Sequence, residues 1–159
     1  MDRLAAGCAT VFIVVLAIAA YWEPAIRVLH AFEALPYALA AILCLRQRKF
    51  GYLLGAASGA FWPWMAGTQT SFVRNGFERL AMLVTTGHVA RWEQFIAAPA
   101  ALSTGGLVLF SLWGYARVRS KAPADLAVFV ALLALMAAFF ITLFWLFAPQ
   151  YLRLFDRLV

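Results

Sequence analysis

Residues 4–22, 50–67, 99–116 and 126–148 of this sequence contain no charged side chain at all. An apolar run of about 20 residues, coiled as a helix, matches the roughly 30 Å hydrocarbon core of a bilayer. A water-soluble fold could not hide four such runs in 159 residues, of which 65% are hydrophobic and 13% charged. A soluble domain carries about twice that charged fraction. Lipid is the expected solvent. The helix is the expected element, because it satisfies every backbone N–H and C=O within its own segment. The polar segments are too short to form a second domain, so residues 1–159 read as one transmembrane bundle.

The boundaries follow from anchors and breakers. The first run closes on Tyr21 and Trp22, whose amphipathic rings suit the membrane interface. Ala17-Ile18-Ala19 has the small-residue pattern of a leader cleavage site, yet the apolar run continues to Trp22, so an uncleaved first span is expected. Glu23-Pro24 interrupts the chain, and Pro24 suits the first turn of a second helix. That helix runs over 24–45 and carries Pro36 in its interior, where the ring is expected to free the Phe32 carbonyl and bend the axis. A third span at 50–67 places Gly51, Gly55 and Gly59 on one stripe, which lets another helix backbone come close, in this chain or in a second copy.

Residues 68–96 are different. Arg74, Glu78, Arg79, His88, Arg91 and Glu93 make this stretch too polar to cross lipid. Coiled as a helix, it puts Phe77, Leu80, Ala81, Val84, His88, Arg91, Trp92 and Phe95 on one side. The expectation is an amphipathic helix at about 76–96, interfacial or re-entrant. Spans at about 99–116 and 125–148 follow, and the Phe-rich fifth span, with no polar face, belongs at the periphery. The fold class is thus an all-α polytopic membrane bundle of five transmembrane helices plus one amphipathic helix. The tail at 150–159 is expected at the interface.

Charge orients the spans. The formal net charge is +6, but the basic residues sit in short clusters at the ends of apolar runs rather than in a patch interleaved with exposed aromatics, so nucleic acid is not an expected partner. With five spans, Arg3, the Arg46–Arg48–Lys49 cluster and the Arg117–Arg119–Lys121 cluster share one side, which the positive-inside rule makes cytoplasmic. The N-terminus is then inside and the C-terminus outside, as in a bacterial inner membrane. Cys8 and Cys44 fall near the cytoplasmic face, where they are expected to remain thiols.

Chemistry is sought where ionisable groups reach membrane depth. Glu23, Arg27, His30 and Glu33 recur along one face of the second helix, with Tyr37 a turn further on. Glu33 lies about two turns below the outer boundary and must protonate, pair or line a watery cavity. Its candidate partners are Arg27 and His30 on the same helix, and His88 and Arg91 if the amphipathic segment folds back over the bundle. The cluster is then either an ion-pair network holding that segment or a pocket for a small solute, lipid headgroup or quinone-like ring. No cofactor is expected: a metal or haem at His30 and His88 would want further ligands, and the chain has two histidines. No H-E-x-x-H, G-x-S-x-G or P-loop pattern is present, so no catalytic residue is assigned.

Two functional classes remain. One is a non-enzymatic accessory or self-associating membrane subunit, a homo-oligomer or part of a larger complex, using Gly51, Gly55 and Gly59 as its packing face. The other is a ligand-handling protein, a transporter or membrane enzyme, using a pocket at Glu33, His30 and His88.

Overall fold

The computed structural model describes residues 1–69, 71–89 and 91–148, and the tail expected at 150–159 lies outside them. Among the described residues the chain is all-helical. Helix α1 (Asp2–Trp22) leads through a 3₁₀ turn (Pro24–Ile26) into α2 (Arg27–Leu45) and then α3 (Lys49–Gln69). Next come α4 (Phe72–Thr86), the short α5 (Trp92–Phe95), α6 (Ala97–Ala116) and α7 (Ala124–Phe147).

Side-chain bonds fix the direction of the long helices. Asp2, at the start of α1, accepts from Gln47 Nε2 just beyond the end of α2 (2.9 Å) and from the Tyr52 hydroxyl at the start of α3. Lys49 Nζ donates to Asp125 Oδ1 at the start of α7 (2.7 Å) and to the Ser120 carbonyl beyond the end of α6 (3.1 Å). Tyr115 Oη and Ala122 N both donate to Asp125 Oδ2, at 2.8 and 3.0 Å. Five long helices therefore alternate in direction, with these ends meeting on one side of the bundle. The three basic clusters are at that same end.

The turn between α2 and α3 is built for its place. Gln47 has a left-handed backbone, φ 54°. Its N–H donates to the Cys44 carbonyl and that of Arg48 to the Leu43 carbonyl, each at 2.9 Å, which is the Schellman closure of a helix. A left-handed non-glycine residue costs about 1–2 kcal/mol, and here the same residue's side chain reaches Asp2.

Among the described residues, four helical runs are long and apolar enough to cross a membrane: Asp2–Trp22, Pro24–Leu45, Trp92–Ala116 and Ala124–Phe147. The sequence reading counted a fifth, and α3 is not among the four. It has 21 residues, about 31 Å of helix, but its glycines, Ser58, Trp62, Pro63 and Trp64 dilute its apolarity. The physical reason is its position. Residues 51–59 of α3 are buried without interruption, sheathed by α2, α6, α7 and α4, so this helix meets protein rather than solvent.

The glycine stripe makes that sheath possible, and its partners are within the chain. A Cβ on Gly51 would stand 2.5 Å from Leu43 Cβ and 2.6 Å from the Leu43 carbonyl carbon of α2. On Gly55 it would meet Ser111 Oγ at 2.5 Å, and on Gly59 the Thr104 carbonyl oxygen at 3.0 Å, both on α6. At Gly51 and Gly55 that is closer than real Cβ atoms come, and at Gly59 it is tight enough that the neighbour would have to give way. The stripe is thus occupied by α2 and α6, which removes it as the support for self-association.

The amphipathic segment also departs from expectation. It starts earlier, at Phe72, and stops at Thr86, where Gly87 takes a left-handed φ of 69°. Trp92–Phe95 instead joins the run that continues into α6. The side of α4 turned to the bundle is centred on Gly76, where a Cβ would lie 2.7 Å from both Ala97 Cβ and Ala98 N. Phe77 and Val84, placed on the packing side by the sequence reading, are exposed, Val84 by 78%. Hydrophobic periodicity located the helix but set its phase toward the largest side chains, whereas close approach is decided by the glycine. Helix α7 packs Leu132, Met136, Phe140 and Leu143 inward and leaves Leu126, Leu135 and Trp145 exposed, a peripheral helix with one inner stripe.

Candidate ligand cavity

At the end of the bundle opposite the Asp2 and Asp125 bonds, the helices part around a cavity of about 660 Å³. A ligand pocket commonly falls between about 300 and 1,000 Å³. Its walls come from the last turns of α1, the first turns of α2, the end of α3, the start of α4, α5, the start of α6 and Phe144 of α7. Most of that surface is apolar, supplied by Phe12, Leu16, Leu29, Trp62 and Phe144 among others.

Glu33 is set into this wall and is only 2% exposed. His30, one turn earlier on α2 and 14% exposed in its side chain, donates from Nδ1 to Glu33 Oε2 at 2.6 Å. The i, i+3 spacing makes this pair local, since side chains three apart share a helix face. Glu33 Oε1 receives no hydrogen bond among the described residues. Beneath the pair the bundle is sealed. Phe12 lies against Tyr37 (ring centroids 4.4 Å) and Trp62 (5.3 Å), and Tyr37 Oη donates to the Ser58 carbonyl at 2.9 Å. The polar pair is therefore at the closed side of an apolar cavity, where an unpaired carboxylate oxygen is costly and a ligand donor is rewarded.

Three of the sequence-derived site residues, Glu23, His30 and Glu33, line the cavity, and three do not. Arg27 is exposed and turns its Nε to the Ala20 carbonyl at 3.3 Å. His88 and Arg91 are exposed in the break between α4 and α5, because Gly87 ends α4 before it can carry them over Glu33. The wall facing α2 is instead made by Ser71, Phe72 and Asn75 of α4 with Glu93 and Gln94 of α5. Glu93 is four residues before Ala97, where the fourth apolar run begins in the structure. Had that run been extended back to Trp92, Glu93 and Gln94 would have been placed at its mouth from sequence. Of the tryptophans Trp22, Trp62, Trp64 and Trp92, the first two line the cavity and the last two are exposed outside it.

The hydroxyls near the cavity serve their own helices. Thr68 Oγ1 donates to the Trp64 carbonyl, and Ser103 and Thr104 both donate to that of Ala100. Among the described residues no three His, Cys, Asp or Glu side chains converge as a metal cluster. A second, smaller cleft of about 370 Å³ lies at the other end, between Asp2, Gln47, Tyr52, Arg117 and Arg119, but its carboxylate already accepts from Tyr52 and Gln47. The chain matches no family model, no curated protein and no solved structure at a significant level.

Proposed function

We propose that this is a five-span membrane protein of the bacterial inner membrane that binds an amphiphilic small molecule in the cavity at Glu33 and His30. The N-terminus is cytoplasmic and the cavity opens toward the outer leaflet. The observation that carries the ligand reading is a carboxyl only 2% exposed, with His30 its one hydrogen-bond partner among the described residues, set in the wall of a mostly apolar cavity of about 660 Å³. An ion-pair network anchoring the loop predicts instead that Glu33 meets an arginine or His88, and its partner here is its helix neighbour His30. Support for five spans comes from the alternating directions of the long helices, which return the three basic clusters to one end. The third span is α3, whose surroundings in the bundle replace the apolarity it lacks.

Filling the cavity tests this reading. Ala100, buried in the cavity wall on α6, is replaced by Trp, and the purified proteins are compared by native mass spectrometry. Wild type is expected to retain a small molecule that the Ala100→Trp variant lacks, with both eluting as the same folded species. Equal small-molecule content in the two, or none in wild type, overturns it.

A further inference from the structure

The class of ligand follows from the charges that do and do not reach the cavity, and this step rests on the ligand-binding reading above. The chain is formally +6, and Arg27, Arg74, Arg79 and Arg91 belong to the elements around the cavity. None of them lines it. Arg27 faces the Ala20 carbonyl, Arg74 pairs with Glu78 at 3.5 Å, and Arg79 Nη1 points to Met82 Sδ at 3.1 Å. What does line it is Glu23, Glu33 and Glu93, with His30 as the single side chain there able to carry positive charge among the described residues. Neutral or protonated, one imidazole is outnumbered by three carboxyls. Among the described residues, the basic side chains around this cavity are turned away from it.

Each kind of ligand meets this wall differently. An anion would be repelled by Glu33 in the buried wall and by Glu23 and Glu93 at exposed positions. A neutral apolar molecule would cover the Glu33 carboxyl with nothing to offset its lost solvation. A cation offsets the carboxyls, and the rings of Phe12, Trp22, Trp62, Phe72 and Phe144 that line the same space present π faces to it. We propose that the cavity takes a lipophilic organic cation, its charged centre against Glu33 Oε1 and its apolar groups against Phe12, Leu16, Trp62 and Phe144.

The probe is radiolabelled tetraphenylphosphonium, measured on the full chain in lipid nanodiscs against empty nanodiscs, beside labelled triphenylphosphine oxide as a neutral counterpart of similar shape. Saturable binding of the cation is expected, about tenfold or more weaker in Glu33→Gln, with the neutral compound binding far less. Glu93→Gln, at an exposed position, is expected to weaken the cation about two- to threefold. If both probes bind alike and Ala100→Trp abolishes both while Glu33→Gln and Glu93→Gln change neither, the cation assignment fails and the ligand-binding reading stands. If neither probe binds above empty nanodiscs, the cation assignment fails. The native mass spectra of wild type and Ala100→Trp then decide the ligand-binding reading separately.

Discussion

At one end of the bundle Asp2 and Asp125 each accept from more than one donor, and at the other Glu33 accepts from a single one. Asp125 accepts from Lys49, Tyr115 and the Ala122 backbone, and Asp2 from Tyr52 and Gln47. These bonds join the ends of α1, α2, α3, α6 and α7, so polarity there acts as a clasp. Glu33 and His30 bond to each other on one helix and join nothing together. The same residue types thus do opposite work: at the first end they close the fold, and at the second they remain available because the fold has left space beside them.

Breaking the frame common to both ends should have the largest effect. Gly55→Leu drives a side chain into Ser111 of α6 and is expected to destabilise by about 3 kcal/mol. Loss of the monodisperse folded peak by fluorescence-detected size exclusion checks it, and a normal elution profile with unchanged melting would refute the in-chain packing of the glycine stripe. Asp2→Ala attacks the clasp alone, leaving the buried Tyr52 hydroxyl unpaired. A loss of about 1–3 kcal/mol is expected, seen as a lower melting temperature with cation binding retained.

Gln47 sharpens the comparison with a smaller effect. Gln47→Ala loses the bond to Asp2 but keeps the left-handed strain, at a cost of about 1 kcal/mol. Gln47→Gly loses the bond and relieves the strain, so the two should nearly cancel. Finding the glycine variant the less stable of the pair would mean that the backbone of this turn is not strained. Smallest of all in stability should be Glu33→Gln, whose amide oxygen still accepts from His30 and which removes a buried acid. Its melting temperature is expected to equal or exceed that of wild type, whereas Asp2→Asn should lower it. A fall of similar size in both would show that the two ends are equally structural.

Much of this contrast was legible in the sequence, and the reasons for the gaps are specific. Uncharged runs fix where the long helices lie because lipid-length apolarity has few other uses, and Pro24 marks the start of the second. The Glu33–His30 pair was visible because both members are on one helix. Asp2 and Asp125 were not singled out: each sits in the first turn of a span, where an acid needs no explanation beyond the helix dipole. Their partners are 45 and 76 residues away, a separation that no local pattern encodes. His88 was assigned to the cavity by carrying one helical period through Gly87, the residue at which the backbone turns left-handed. The place of α3 was hidden for a related reason, since hydropathy measures what a helix could face and not what shields it.

That shielding bears on how the chain is made. The residues that close on Gly55 and Gly59 are Leu107, Ser111 and Thr104 of α6, and they leave the ribosome long after α3 itself. Among the long helices α3 is the one that falls short of the apolarity needed to enter lipid on its own account. Under the five-span proposal, its stable insertion therefore waits on a segment not yet synthesised. Until α6 emerges, α3 has only α2 and α4 of the helices that sheathe it, and a chain truncated before residue 97 should be a substrate for membrane quality control rather than a smaller version of the same protein.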